Sequence, residues 1–136
     1  GTFVADILSR PGTVSLNSGK NISLVTPELN QMGQMMFRDN TKRMIEGQQT
    51  LIIAGLITTG KTMMQAIESV LYYGGRVNGI CAAFSQVSKV AGMDINAVFT
   101  QKDVAGYEKY ANGDCPMCAA GQKIDAFVNS FGHSSI

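Results

Sequence analysis

The stretch Leu51-Ile-Ile-Ala-Gly-Leu-Ile-Thr-Thr-Gly-Lys-Thr62, continued through Met63 to Tyr73 and Gly74-Gly75, decides the fold. Thr50 to Ala54 is a short β-prone apolar run, and Gly55 to Gly60 reads as a loop. Lys61 to Tyr73 then carries Met63, Ile67, Val70 and Leu71 on one face, which predicts an amphipathic helix. Gly74-Gly75 ends it, and Val77 to Phe84 returns as an apolar strand. Strand, loop, helix, strand is a βαβ unit with a parallel strand pair. The Thr-Thr-Gly turn then lies between the end of a strand and the start of a helix.

Outward from this unit, Ile95 to Thr100 is expected as a further strand, and Phe3 to Ser9 as a short helix stopped by Pro11-Gly12. Thr13 to Leu16 and Ile22 to Val25 alternate about Asn17-Ser-Gly-Lys-Asn21, which predicts a hairpin. Glu28 to Phe37 carries Leu29, Met32, Met35 and Met36 at helical spacing, which predicts a Met-striped helix. Asp39 to Gln49 is polar and turn-rich, a candidate mobile connection. Toward the C-terminus a weak helix near Val104 to Tyr110 precedes Cys115-Pro-Met-Cys118 and the segment Ile124 to Phe131. The expected class is α/β, a parallel sheet with flanking helices and an N-terminal hairpin.

The whole chain, 1–136, is expected as one domain, since 136 residues leave room for no more. With 45% hydrophobic and 15% charged residues it is not a disordered chain. A net charge of +1, without runs of one sign, argues against nucleic acid or an anionic membrane as the main partner. Apolar runs such as Leu51 to Ala54 are too short to cross a bilayer, and the first residues do not have the pattern of a secretory signal. Three cysteines, an odd number, argue against a disulfide framework and for a reducing, cytoplasmic setting.

A strand that turns through Thr58-Thr59-Gly60 into a helix beginning at Lys61-Thr62 leaves backbone N–H groups unpaired beside hydroxyls, at the positive end of the helix dipole. Such a nest suits a phosphate. Two patterns fit it. Gly55-Leu-Ile-Thr-Thr-Gly60-Lys61-Thr62 matches G-x-x-x-x-G-K-[ST], which would set Lys61 on a β/γ-phosphate and Thr62 on magnesium. Against this, the strand Val77 to Phe84 ends at Ser85 without the aspartate that such sites use to hold the metal.

Read as Leu-Ile-Ile-x-x-Leu-Ile-Thr-Thr-Gly-x-Thr, the same residues resemble the phosphoribosyl-pyrophosphate loop of the type I phosphoribosyltransferases, closest to the orotate branch. The resemblance continues through Met63 to Phe84. It extends to Cys115-Pro-Met-Cys-Ala-Ala-Gly-Gln-Lys-Ile-Asp125, similar to a tail element of some orotate-type members, and to Phe3 to Thr26, similar to their N-terminal hood. It implies a reduced, Rossmann-like phosphoribosyltransferase core over 48–136 with a hood-like segment over 2–30. It also implies that phosphoribosyl pyrophosphate or a nucleotide is bound through Thr58, Thr59, Gly60, Lys61 and Thr62. In an active member the reaction is glycosyl transfer of phosphoribose to orotate, with magnesium, in pyrimidine biosynthesis.

Two departures limit that implication. The family's acidic pair, which contacts the ribose hydroxyls, is replaced by Ala54 and Gly55. Each charge-assisted hydrogen bond lost from a dry site costs about 1.5–3 kcal/mol. Only about two dozen residues stand where the family has a further strand, a pyrophosphate loop, crossover helices and a basic flexible loop. Arg38, Lys42 and Arg43 are either a remnant of that basic loop or part of a solvated connection. No residue is assigned a catalytic or metal-ligating role, and a catalytically impaired binding or regulatory protein stands beside an active transferase as an expectation. The alternatives are a P-loop-type nucleotide-binding domain and a non-catalytic oligomeric interaction module.

Cys115-Pro-Met-Cys118 suggests zinc or a thiol redox pair, but is expected to be a structural turn: the further zinc ligands on offer are Cys81, inside a predicted strand, and His133, near the end, and redox motifs of this shape follow the first strand of a thioredoxin-like unit, which is absent here. His133 is expected in an exposed tail. A shortened sheet would leave an edge and an apolar face uncovered, so a homodimer or higher oligomer is expected, with Leu29 to Phe37 and the hairpin at its interface.

Overall fold

A computed structural model describes residues 1–11, 21–129 and 131–136, which form two compact units, Gly1–Val104 and Ala105–Ile136. In chain order the first contains α1 (Thr2–Ser9), β1 (Glu28–Leu29), β2 (Met35–Met36), α2 (Asp39–Lys42), β3 (Gln49–Ile57), α3 (Lys61–Tyr72), β4 (Arg76–Ser85), β5 (Lys89–Val90) and β6 (Met93–Thr100). The second contains α4 (Pro116–Ala119), β7 (Ala126–Asn129) and β8 (Gly132–Ser135). The first unit is mixed α/β, with a four-stranded sheet ordered β3-β4-β6-β5. β3, β4 and β6 run parallel, and β5 is antiparallel to β6.

The expected βαβ unit forms β3, α3 and β4. Residues Met63, Ala66, Ile67 and Val70 recur every three or four positions along α3 and are its buried apolar face. Met63 and Ile67 pack with Ile57, Ile80, Ala82 and Val90, and Ile80 at the centre is fully buried. In register, Ile52, Ile80 and Ile95 lie side by side, as do Ala54, Ala82 and Ala97. α3 ends where Gly74, at φ +77°, reverses the chain and donates to the Leu71 carbonyl, while Gly75 donates to that of Val70. A Cβ on Gly75 would stand 2.7 Å from Ile45 Cγ2 and 2.8 Å from Val70 Cγ1, so this contact requires glycine.

Several expectations are corrected. Glu28 to Phe37 is a two-stranded ribbon, not a helix. Asn30 Oδ1 accepts from the amides of Met32 and Gln34, both at 2.9 Å, and Gly33 turns the chain at φ +75°. These local bonds offer the backbone an alternative that overrides the helical methionine spacing. Arg38 closes the ribbon's base by donating to both carboxylate oxygens of Glu28, at 2.5 and 2.8 Å. That paired hydrogen bond holds the Glu28 carboxyl below the usual carboxylate range. Its stabilisation is therefore present above the ordinary glutamate value and is lost as pH falls through the lowered one. The ribbon is joined to α3 by Ser69 Oγ, which donates to the Met35 carbonyl at 3.1 Å, and by an edge-on contact between Phe37 and Tyr73.

The first arm of the expected N-terminal hairpin, Thr13 to Leu16, lies outside the described residues, and Ile22 to Val25 is not a strand. The connection Asp39 to Gln49 holds α2 and the buried Ile45, and is fastened where Gly47 donates to the Gly74 carbonyl and Arg76 to that of Gln48. No helix forms over Val104 to Tyr110, and Gly106 turns the chain at φ +75°. In the second unit Cys115-Pro-Met-Cys118 opens a single helical turn. His133 belongs to β8, opposite Val128, rather than to a frayed tail. Among the described residues no helix is long and apolar enough to cross a membrane.

Candidate functional site

In the parallel part of the sheet the register sets Ile57, Ser85 and Thr100 side by side, so β3, β4 and β6 end at one level. Ligands of open α/β sheets bind at this edge, outside the carboxyl ends of the strands. Two concave features lie there.

The first is the turn from β3 into α3. β3 runs through Gly55 to Ile57, with Leu56 and Ile57 paired to Phe84 and Ser85, so the loop is Thr58 to Gly60 rather than the expected Gly55 to Gly60. Gly60 adopts φ +79° and is buried against β5, and a Cβ there would meet Val90 Cγ2 at 2.6 Å. The first helical bond runs from the Met64 amide to the Gly60 carbonyl at 2.9 Å. The amides of Lys61, Thr62 and Met63 precede it and have no acceptor within the helix. That of Lys61 reaches Thr59 Oγ1 at 3.4 Å. Leu56 to Met63 line a cleft of about 40 Å³, into which the helix start brings its positive end. Thr58, Thr59, Gly60, Lys61 and Thr62 are thus brought together, with Thr59, Lys61 and Thr62 exposed and Thr58 half-buried.

The second feature escaped sequence reasoning. A groove of about 480 Å³ runs along the ends of β4 and β6, bordered by Ser85, Gln86, Ser88, Thr100, Gln101 and Lys102. The Gln86 amide donates to the Ile57 carbonyl at 2.9 Å, which ties the groove to the end of β3. Gln86 Oε1 is buried and lacks a hydrogen-bond partner among the described residues, an acceptor awaiting a donor. Asp103 caps the end of β6 by accepting from the amide and hydroxyl of Thr100, both at 2.8 Å. Those two bonds, the amide's first, hold its carboxyl below the usual range. Adjacent strands stand about 4.8 Å apart, so the groove begins within about 10 Å of the Thr-Thr-Gly turn. Its signal was long-range pairing, which no local motif carries.

Ala54 and Gly55 differ in setting. Ala54 packs against the core beneath α3, whereas a Cβ on Gly55 would meet nothing within 4 Å. The cleft is lined by hydroxyls and one ammonium but no carboxylate, and no cluster of three or more His, Cys, Asp or Glu exists among the described residues. These residues do not fit a resident divalent cation, and no step is routed through one.

Fold and site together define a mixed α/β protein with a strand-to-helix turn at its sheet edge, where the first amides of α3 have no acceptor within the helix. No family model matches the chain, and no curated protein matches it.

Proposed function

We propose that this protein binds the phosphate of a phosphorylated ribose or nucleotide in the turn Thr58 to Thr62. The carrying observation is Gly60, whose left-handed backbone and contact with Val90 aim the first amides of α3 into the cleft beside the Thr59 and Thr62 hydroxyls. The neighbouring groove supports a ligand larger than phosphate. The resemblance to the orotate branch of the type I phosphoribosyltransferases gives the ligand class, phosphoribosyl pyrophosphate or its nucleotide product. Ala54 and Gly55 in place of the acidic pair support binding without efficient transfer.

The P-loop reading loses ground, because that loop must wrap phosphate along its whole Gly-to-Lys length. Here Leu56 and Ile57 are spent on pairing with β4. Thermal-shift titration separates the readings: stabilisation by ribose 5-phosphate and phosphoribosyl pyrophosphate is expected, and selective stabilisation by ATP that needs Lys61 would overturn it.

The missing carboxylates lead to a gain-of-function result. Gly55→Asp has open space and an ordinary backbone, so it is expected to fold within about 0.5 kcal/mol of the parent. With magnesium present it is expected to bind phosphoribosyl pyrophosphate about tenfold or more tightly, as one regained charge-assisted bond implies. Calorimetric titration reads this, and unchanged affinity would count against a degenerate ribose site. Ala54→Asp would instead bury a carboxylate against the core and destabilise the fold.

Self-association belongs to the same proposal. β3 is an edge strand, and Leu51, Ile53 and Val98 leave apolar surface on the sheet exposed. The ribbon Glu28 to Met36, with Leu29 and Met32 exposed, offers further apolar surface. A dimer mass is expected in light scattering at micromolar concentration, and a concentration-independent monomer would sink this part.

A further inference from the structure

We propose that Cys115 and Cys118 form a reversible dithiol–disulfide site that exchanges with small disulfides of the glutathione class. The site is contained within the second unit. Pro116 starts the helical turn of α4, and the turn closes where the Ala119 amide donates to the Cys115 carbonyl at 3.0 Å. One helical turn places residues three apart on the same face with Cα atoms about 5 Å apart. That lies inside the Cα range of about 4.4–6.8 Å that a disulfide spans, so the bond forms with side-chain rotation and a small backbone adjustment. Both thiols belong to this one turn, Cys115 at its start and Cys118 within it.

The two thiols are unequal. Hydrogen bonding toward the Cys118 amide and thiol holds the Cys115 thiol below the usual thiol range. Hydrogen bonding with Cys115, and its charge, push the Cys118 thiol up. Cys118 is exposed and Cys115 half-buried, so an incoming disulfide reaches the pair. Cys115 is therefore the attacking thiolate and Cys118 the resolving thiol.

The exchange balances. The Cys115 thiolate attacks one sulfur of the external disulfide, forming a mixed disulfide and expelling a thiolate that takes up a proton. Cys118 gives its proton to solvent and attacks the Cys115 sulfur, expelling the second thiolate, which is protonated in turn. Two cysteine S–H bonds are replaced by one S–S bond, one external S–S bond becomes two S–H bonds, and two electrons pass to the external disulfide. Excess reduced thiol reverses both steps. A closed zinc site would need ligands beyond this pair, and no cluster of three candidate ligands exists among the described residues.

The test incubates the full chain in buffers of graded oxidised-to-reduced glutathione ratio, traps thiols by acid and alkylation, and reads the intact mass. Expected is a loss of two hydrogens that maps to Cys115–Cys118, is undone by reduced glutathione and leaves Cys81 a thiol. Cys118→Ser should accumulate a stable glutathione adduct on Cys115. Cys115→Ser should react at Cys118 about threefold more slowly at pH 7, with the two rates converging above the ordinary thiol range of about 8.5. No internal disulfide at any ratio, equal rates for the two variants at pH 7, or zinc that stays bound and blocks exchange would each overturn the proposal.

Discussion

Gly60→Val is expected to abolish phosphate binding and to destabilise the first unit by about 2–5 kcal/mol. Two causes add. A left-handed backbone costs an L-residue about 1–2 kcal/mol, and a β-branched one most. The new side chain would also be driven into Val90, whose Cγ2 lies 2.6 Å from the first added carbon, and overpacking of this kind costs about 1–3 kcal/mol. Relief requires the turn to move away from β5, which swings the amides of Lys61 to Met63 off the cleft. Gly55→Ala is the control, since its Cβ meets nothing within 4 Å. Urea unfolding and phosphate titration of both variants read the result, and a Gly60→Val protein that binds like the parent would remove the turn from the site.

A comparable loss of stability is expected from Ile80→Ala, about 2–5 kcal/mol. Ile80 is fully buried, lies between Ile52 and Ile95 on the sheet, and belongs to the cluster with Met63 and Ile67. With a helix above and strands on both sides, the neighbours have little freedom to fill the space. Val98→Ala removes a side chain that is 74% exposed and is expected to fall within about 0.5 kcal/mol of the parent. Urea midpoints distinguish the two, and equal shifts would mean that the core is not where α3 meets the sheet.

The central βαβ unit was legible because its signals are local and agree: apolar strands, a helical stripe over Met63 to Val70, and two glycines at its end. Its loop was legible only at Thr58 to Gly60, since Gly55 to Ile57, expected as loop, continue β3 through pairing with β4. Elsewhere local signals competed or were missing. The methionines of Glu28 to Phe37 have helical spacing, but Asn30 and Gly33 hold a turn at the middle of the segment. β5 is two residues long and is returned by Ala91 at φ +51° and Gly92 at φ +78°, a tight turn that alanine seldom signals. Without β5 the brace beneath Gly60 could not be foreseen, and without the pairing of β4 with β6 neither could the groove. The cysteine pair was legible as a motif, but its placement on one helical turn depends on the backbone that α4 adopts.

The most direct test follows the backbone amides of the ¹⁵N-labelled protein by NMR during titration with inorganic phosphate, ribose 5-phosphate and ATP. Binding in the Thr-Thr-Gly turn predicts saturable shifts at Gly60 to Met63 with all three. With ribose 5-phosphate they should extend to Gln86 and Thr100 to Lys102, and ATP should show no preference. Amides from Thr58 to Met63 that stay still at saturating ribose 5-phosphate, or shifts confined to other parts of the chain, would contradict a phosphate site at this turn.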